Sequence, residues 1–123
     1  MSNPEGTCQE AKPSDAARDA YYADILAAMG AEPRLRIMRL LLSAHPEGLV
    51  VGDIQDELGI APSTLSHHLE KLKNEGLVTV RRQGRFLRYT ADIATLEDLV
   101  RFLFAECCSG GANTSDKFFR ICR

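Results

Sequence analysis

Leu58-Gly59-Ile60-Ala61-Pro62-Ser63-Thr64-Leu65-Ser66-His67-His68-Leu69-Glu70-Lys71-Leu72-Lys73-Asn74-Glu75-Gly76 is the stretch that decides the fold. Gly59 ends a short helix over about residues 51–58. Pro62 suits the first turn of the next helix, which reaches Glu75 before Gly76. Two helices joined by Gly59-Ile60-Ala61 match a helix-turn-helix. At about 100° per residue, Leu65, Leu69 and Leu72 cluster within about 60° and define a core face. Ser63, His67 and Asn74 fall roughly opposite, with Thr64 and Lys71 flanking. Small polar groups, an imidazole and a lysine on an exposed face suit a helix that enters a major groove. Ser63, Thr64, Ser66, His67 and Lys71 are therefore the candidate DNA-contacting residues of this helix. His68 sits nearer the core edge, where a half-buried, hydrogen-bonded histidine is expected.

Downstream, Leu77-Val78-Thr79-Val80 and Phe86-Leu87-Arg88-Tyr89-Thr90 read as strands around Arg81-Arg82-Gln83-Gly84-Arg85, a hairpin with its glycine at the tip. Arg82, Gln83 and Arg85 are its candidate contacts to phosphate or to a minor groove, beside Arg81. A last helix is expected over about residues 92–107, with Leu96, Leu99, Val100, Leu103 and Phe104 as its apolar stripe. Upstream, Ser14 is placed to cap a helix over residues 14–29 that presents Tyr22, Ile25, Leu26 and Met29. Pro33 opens a second, with Leu35, Met38, Leu41 and Leu42 at helical spacing, and His45-Pro46-Glu47-Gly48 breaks it. Residues 1–13, with Pro4, Gly6 and Pro13, read as a disordered arm, and residues 109–123 as a flexible tail. The order predicts a mainly helical winged helix-turn-helix body over residues 14–108.

Composition narrows the partners. At 123 residues and 13.6 kDa the chain is expected to form a single domain. Its net charge is −2, but residues 61–90 carry six basic side chains against Glu70 and Glu75. A basic patch on an otherwise acidic chain attracts a polyanion at one place. No apolar run reaches the ~18 residues that span a bilayer, so no membrane partner is expected. The polar N-terminus lacks the pattern of a secretion signal, which predicts a cytoplasmic protein. Four cysteines in such a chain point to metal binding or redox chemistry before structural disulfides. No nucleotide-binding glycine loop, Cys-x-x-Cys, hydrolase triad or His-Glu-x-x-His is present, so an enzyme is not expected.

Cys107 and Cys108 are adjacent, after Glu106 and before Ser109-Gly110-Gly111. Consecutive Cα atoms lie about 3.8 Å apart, whereas a disulfide wants at least about 4.4 Å. Two such thiols are poor partners for each other and well placed to share a soft, thiophilic ion. Cys122 follows past a glycine-containing stretch that can fold it back, and Cys8 lies on the opposite arm.

Asp53-Ile54, Leu58-Gly59, Ser63-Thr64-Leu65-Ser66-His67-His68-Leu69, Leu72, Gly76-Leu77-Val78 and Arg82-Gln83-Gly84-Arg85, preceded by Ala31-Glu32-Pro33-Arg34-Leu35-Arg36-Ile37, closely resemble the ArsR/SmtB family of metal-responsive repressors. The resemblance covers about residues 20–106. It implies a homodimer paired through the first and last helices and bound to operator DNA. The family's third-helix cysteine site has no counterpart in Leu49-Val50-Val51-Gly52-Asp53. Its last-helix zinc site needs histidines, which residues 92–107 lack, although Asp92 is present. What remains resembles a branch of arsenite-responsive members with a Cys-Cys pair ending the last helix. That branch implies Cys107, Cys108 and a third thiol, Cys122 or alternatively Cys8, as the ligands of As(III), or of Sb(III). A redox switch and a sensor of methylated trivalent arsenic, which needs only two thiols, are the alternative readings.

Overall fold

The computed structural model describes residues 13–108, with side chains over residues 15–105. The chain divides into two units, one ending at Ala91 and one beginning at Asp92.

The first unit runs α1 (Pro13–Met29), α2 (Glu32–Ser43), β1 (Leu49–Val50), α3 (Val51–Leu58), α4 (Pro62–Asn74), β2 (Val78–Gln83) and β3 (Phe86–Ala91). Its core gathers Ile25 and Ala28 of α1, Ile37, Met38 and Leu41 of α2, Ile54 of α3 and Leu65, Leu69 and Leu72 of α4, closed by Leu77 and Val78. α2 packs against α1, α3 and α4, and α4 leans on β2. The three strands form one antiparallel sheet in the order β1-β3-β2, with Leu49 opposite Tyr89 and Val78 opposite Ala91.

Local chemistry sets the joints. Gly59 closes α3 in the left-handed conformation, φ 67°, and donates to the Gln55 carbonyl at 2.8 Å. Ala61 is extended, as the residue before a proline prefers, and Pro62 starts α4. At the far end Gly76, φ 77°, donates to Lys73 O at 3.0 Å and Leu77 N to Leu72 O at 3.0 Å. This is a Schellman closure, and the residues it joins, Leu72 and Leu77, are both buried.

Several sequence expectations are corrected. Ser14 lies inside α1, which already includes Pro13. In α1 the structure buries Ala28 and leaves Leu26 43% exposed; in α2 it buries Ile37 and leaves Leu35 and Leu42 exposed. The two helices are packed over a slightly rotated face from the one that leucine spacing alone selects. β1 was not foreseen, because two residues run straight into α3. The hairpin strands extend through Gln83, paired with Phe86, so the turn is only Gly84-Arg85. Gly84 has φ 62° and Arg85 does not have a positive φ, the pattern of a type II′ turn.

Within the second unit the structure describes α5 (Ile93–Cys108), one residue displaced from the expected span. Asp92 caps it, its Oδ1 accepting from Thr95 N at 3.0 Å. No helix among the described residues is long and apolar enough to cross a membrane.

Candidate nucleic-acid interface and sensor helix

α4 presents the expected surface. Leu65, Leu69 and Leu72 are buried, whereas Ser63, Thr64, Ser66, His67 and Lys71 are all exposed. The first turn of α4 contains no acidic residue, so its free N–H groups are open to a phosphate. Glu70 is an exposed acid on the same helix. It stands 4.0 Å from Lys73, an exposed pair of little energetic weight.

The wing stands beside it. Strand alternation places Val80, Tyr89, Arg82 and Leu87 on one face of the hairpin, and Arg81, Arg88, Gln83 and Phe86 on the other. Arg82 and Gln83 therefore point to opposite faces, and Arg85 occupies the turn. Among the described residues none of Lys71, Arg81, Arg82 and Arg85 is held in an ion pair. Their charge is available to a polyanion. Burial, and then the Glu70 carboxylate, push the Tyr89 phenol above its ordinary 10.0, so it stays neutral at the base of the wing.

Two residues that sequence reasoning missed brace this surface. Arg88 donates from Nε to Gln83 Oε1 at 2.7 Å and from Nη1 to the Gly48 carbonyl at 3.1 Å. It ties the wing to the loop before β1 and occupies the acceptor end of Gln83. Arg34 of α2 donates from Nε to the Ala28 carbonyl of α1, and its Nη1 lies 3.4 Å from Nδ1 of His68 on α4. Neither pairing is visible in spacing, since each spans more than thirty residues or crosses between elements.

His68 is half-buried, as expected from the helical wheel. Burial, then the Arg34 guanidinium, then His67 hold its imidazole below the ordinary 6.5. The folded state thus favours neutral His68, and the unfolded chain binds the extra proton first. Stability from this source is complete above about 6.5 and is lost as pH falls through the lowered folded value. Melting temperature should therefore drop between pH 7.5 and pH 5.5 by more in the parent than in His68→Gln. Equal drops, read by circular dichroism, would contradict the contact.

Cys107 and Cys108 end α5, one residue apart on its final turn; Cys8 and Cys122 lie outside the described residues. Among the described residues no group of three or more His, Cys, Asp or Glu side chains is placed to hold a metal ion.

A core drawn from α1 to α4, the exposed polar face of α4 and an arginine-bearing hairpin define a winged helix-turn-helix DNA-binding protein. Residues 32–80 match the model of the bacterial regulatory protein, arsR family. The chain is 34% identical over 95 residues to a Halobacterium salinarum protein provisionally named arsenical resistance operon repressor ArsR2, covering 76% of this chain and 78% of that one. It is 32% identical over 84 residues to the transcriptional activator HlyU of Vibrio cholerae, covering 68% of this chain and 75% of the other. A homodimeric winged helix-turn-helix DNA-binding domain from Mycobacterium bovis, solved in solution, superposes with a TM-score of 0.62 at 31% identity, over 81% of this chain and 93% of that one. This chain belongs to the arsR family of bacterial transcriptional regulators.

Proposed function

We propose that the protein is a metalloid-responsive repressor. It binds operator DNA as a homodimer and releases it when Cys107, Cys108 and a third thiolate hold As(III), or Sb(III). The observation that carries the DNA half is the exposed Ser63, Thr64, Ser66, His67 and Lys71 surface of α4 beside free wing arginines. The effector half rests on the donor set. Two adjacent thiols offer soft sulfur and no hard oxygen or imidazole, which suits a thiophilic ion better than zinc. The Halobacterium relative's name supports the same class of effector.

In this reading residues 1–13 are an arm, residues 14–108 the binding and dimerisation body, and residues 109–123 a tail that brings Cys122, with Cys8 the competing third ligand. The protein works in the cytoplasm. The Mycobacterium relative is homodimeric, and Tyr21 and Leu26 of α1 and Leu103 of α5 are exposed apolar side chains of the kind a partner copy covers. A dimer presents its two α4 helices about one DNA turn, ~34 Å, apart. As(III) supplies up to three strong bonds to sulfur when bound. Drawn together, the cysteines strain the end of α5, and a coupling of about 1–3 kcal/mol lowers operator affinity by roughly 5–150-fold.

The test holds the reduced full chain on a labelled duplex taken from the DNA upstream of its own gene. Arsenite should release the duplex and zinc should not. Release by a mild oxidant without metalloid, reversed by a dithiol, would reassign the cysteines to a redox switch.

A further inference from the structure

Phe86 is the most exposed large apolar side chain among the described residues, at 59%. It has no ring contact with any of them. It pairs with Gln83 as the last rung of the hairpin, directly after the Gly84-Arg85 turn. Nothing about folding asks for an aromatic ring there, since the turn geometry is set by Gly84 and the sheet's packed residues, Val78 and Ala91, sit at the opposite end.

Its surroundings indicate the partner. From Leu77 to Ala91 the chain carries Arg81, Arg82, Arg85 and Arg88 and not one acid. An apolar protein surface would have little use for that charge. A free phosphate or a single-stranded chain would not require a rigid two-stranded arm. Duplex DNA meets both demands: phosphates for the arginines, and deoxyribose faces and base edges for a ring. The arm itself is braced, because Arg88 links Gln83, the rung partner of Phe86, to the Gly48 carbonyl. The hairpin follows α4 and packs on it through β2, so with α4 in a major groove its tip is positioned to reach the neighbouring stretch of the same duplex.

We infer that Phe86 is a DNA-contacting residue, packing its ring as an apolar wedge against the sugar and base edges of the minor groove flanking the α4 site. The inference rests on the reading of α4 and the wing as a DNA face. Apolar side chains used this way add affinity without neutralising phosphate. They also favour sites whose base steps unstack readily, so Phe86 reads deformability where the arginines read charge.

That division of labour gives the test. Affinity of the reduced full chain for the upstream duplex is measured across a salt series for the parent, Phe86→Ala, Phe86→Leu and Arg85→Ala. Phe86→Ala should bind about tenfold more weakly, with the slope of log affinity against log salt unchanged. Arg85→Ala should lower the magnitude of that slope by about 1. Phe86→Leu should fall between parent and Phe86→Ala. All variants should melt like the parent, because neither side chain is part of the core. Phe86→Ala binding within twofold of the parent would overturn the inference, and so would a slope change matching that of Arg85→Ala. If the parent itself fails to bind the duplex, the DNA reading of α4 falls and the role of Phe86 falls with it.

Discussion

Serine in place of Cys107 or Cys108 is expected to abolish release by arsenite while operator affinity stays within about twofold of the parent, a surface-substitution-sized change. Replacing sulfur by a hydroxyl oxygen changes the volume little but converts a soft donor into a hard one, which binds As(III) far less tightly. Both cysteines lie on the last turn of α5, outside the α4 and wing residues proposed to meet DNA, so operator affinity is expected to survive the change. The third thiol separates two versions of the account. Cys122→Ser should weaken the response to arsenite yet leave the response to a methylated trivalent arsenical, for which two thiols suffice. If Cys8→Ser produces that pattern instead, the third ligand comes from the other arm. Serine variants at positions 107 and 108 that release DNA normally would remove the sensor from α5.

The second large effect is on folding. Gly48→Ala is expected to destabilise the protein by about 3 kcal/mol or more, seen as a lower midpoint in urea unfolding. Gly48 has φ 76°, and an added Cβ would lie 2.2 Å from the Tyr89 carbonyl oxygen and 2.8 Å from Thr90 Oγ1. Relieving the clash costs hydrogen bonds, because Gly48 N donates to Ala44 O at 2.9 Å and Gly48 O accepts from Arg88. A methyl group there pushes β1 away from β3 and unseats the arginine that braces the wing. Gly59→Ala is the control. Its φ of 67° is similar, but a Cβ there meets nothing within 4 Å, so only backbone strain of about 1 kcal/mol is expected. Equal losses at the two glycines would show that the close approach to Tyr89 carries no weight.

The helix-turn-helix was legible in the sequence because its signals are local. Gly59 and Pro62 mark the joint, and Leu65, Leu69 and Leu72 recur at a helical period over a face that the structure buries in full. The exposed α4 residues followed from the same wheel, and so did the half-buried place of His68. Other features depend on non-local geometry. α2 contains Leu35, Ile37, Met38, Leu40, Leu41 and Leu42, too many apolar residues for spacing to choose a single face. α1, α3 and α4 packing on it makes the choice, in favour of Ile37, Met38 and Leu41. The outer wing carries arginines with no core beneath them, so apolar alternation stops before the strands do. Pairing across a two-residue turn, and not burial, extends β2 to Gln83. Arg34 with His68 and Arg88 with Gly48 join residues distant in sequence, and no single-chain pattern announces them. Of the cysteines, the place of Cys107 and Cys108 at the end of the last helix was legible, because the apolar stripe of that helix runs up to them.

The most direct measurement follows filling of the thiol site and release of DNA in the same sample. Reduced, metal-free protein saturated with its labelled upstream duplex is titrated with arsenite, while arsenic–sulfur absorption reports occupancy and fluorescence anisotropy reports bound DNA. The account predicts that both signals change together and saturate at one arsenic per chain, with no change on adding zinc. Complete filling of the thiols with the duplex still bound would contradict it.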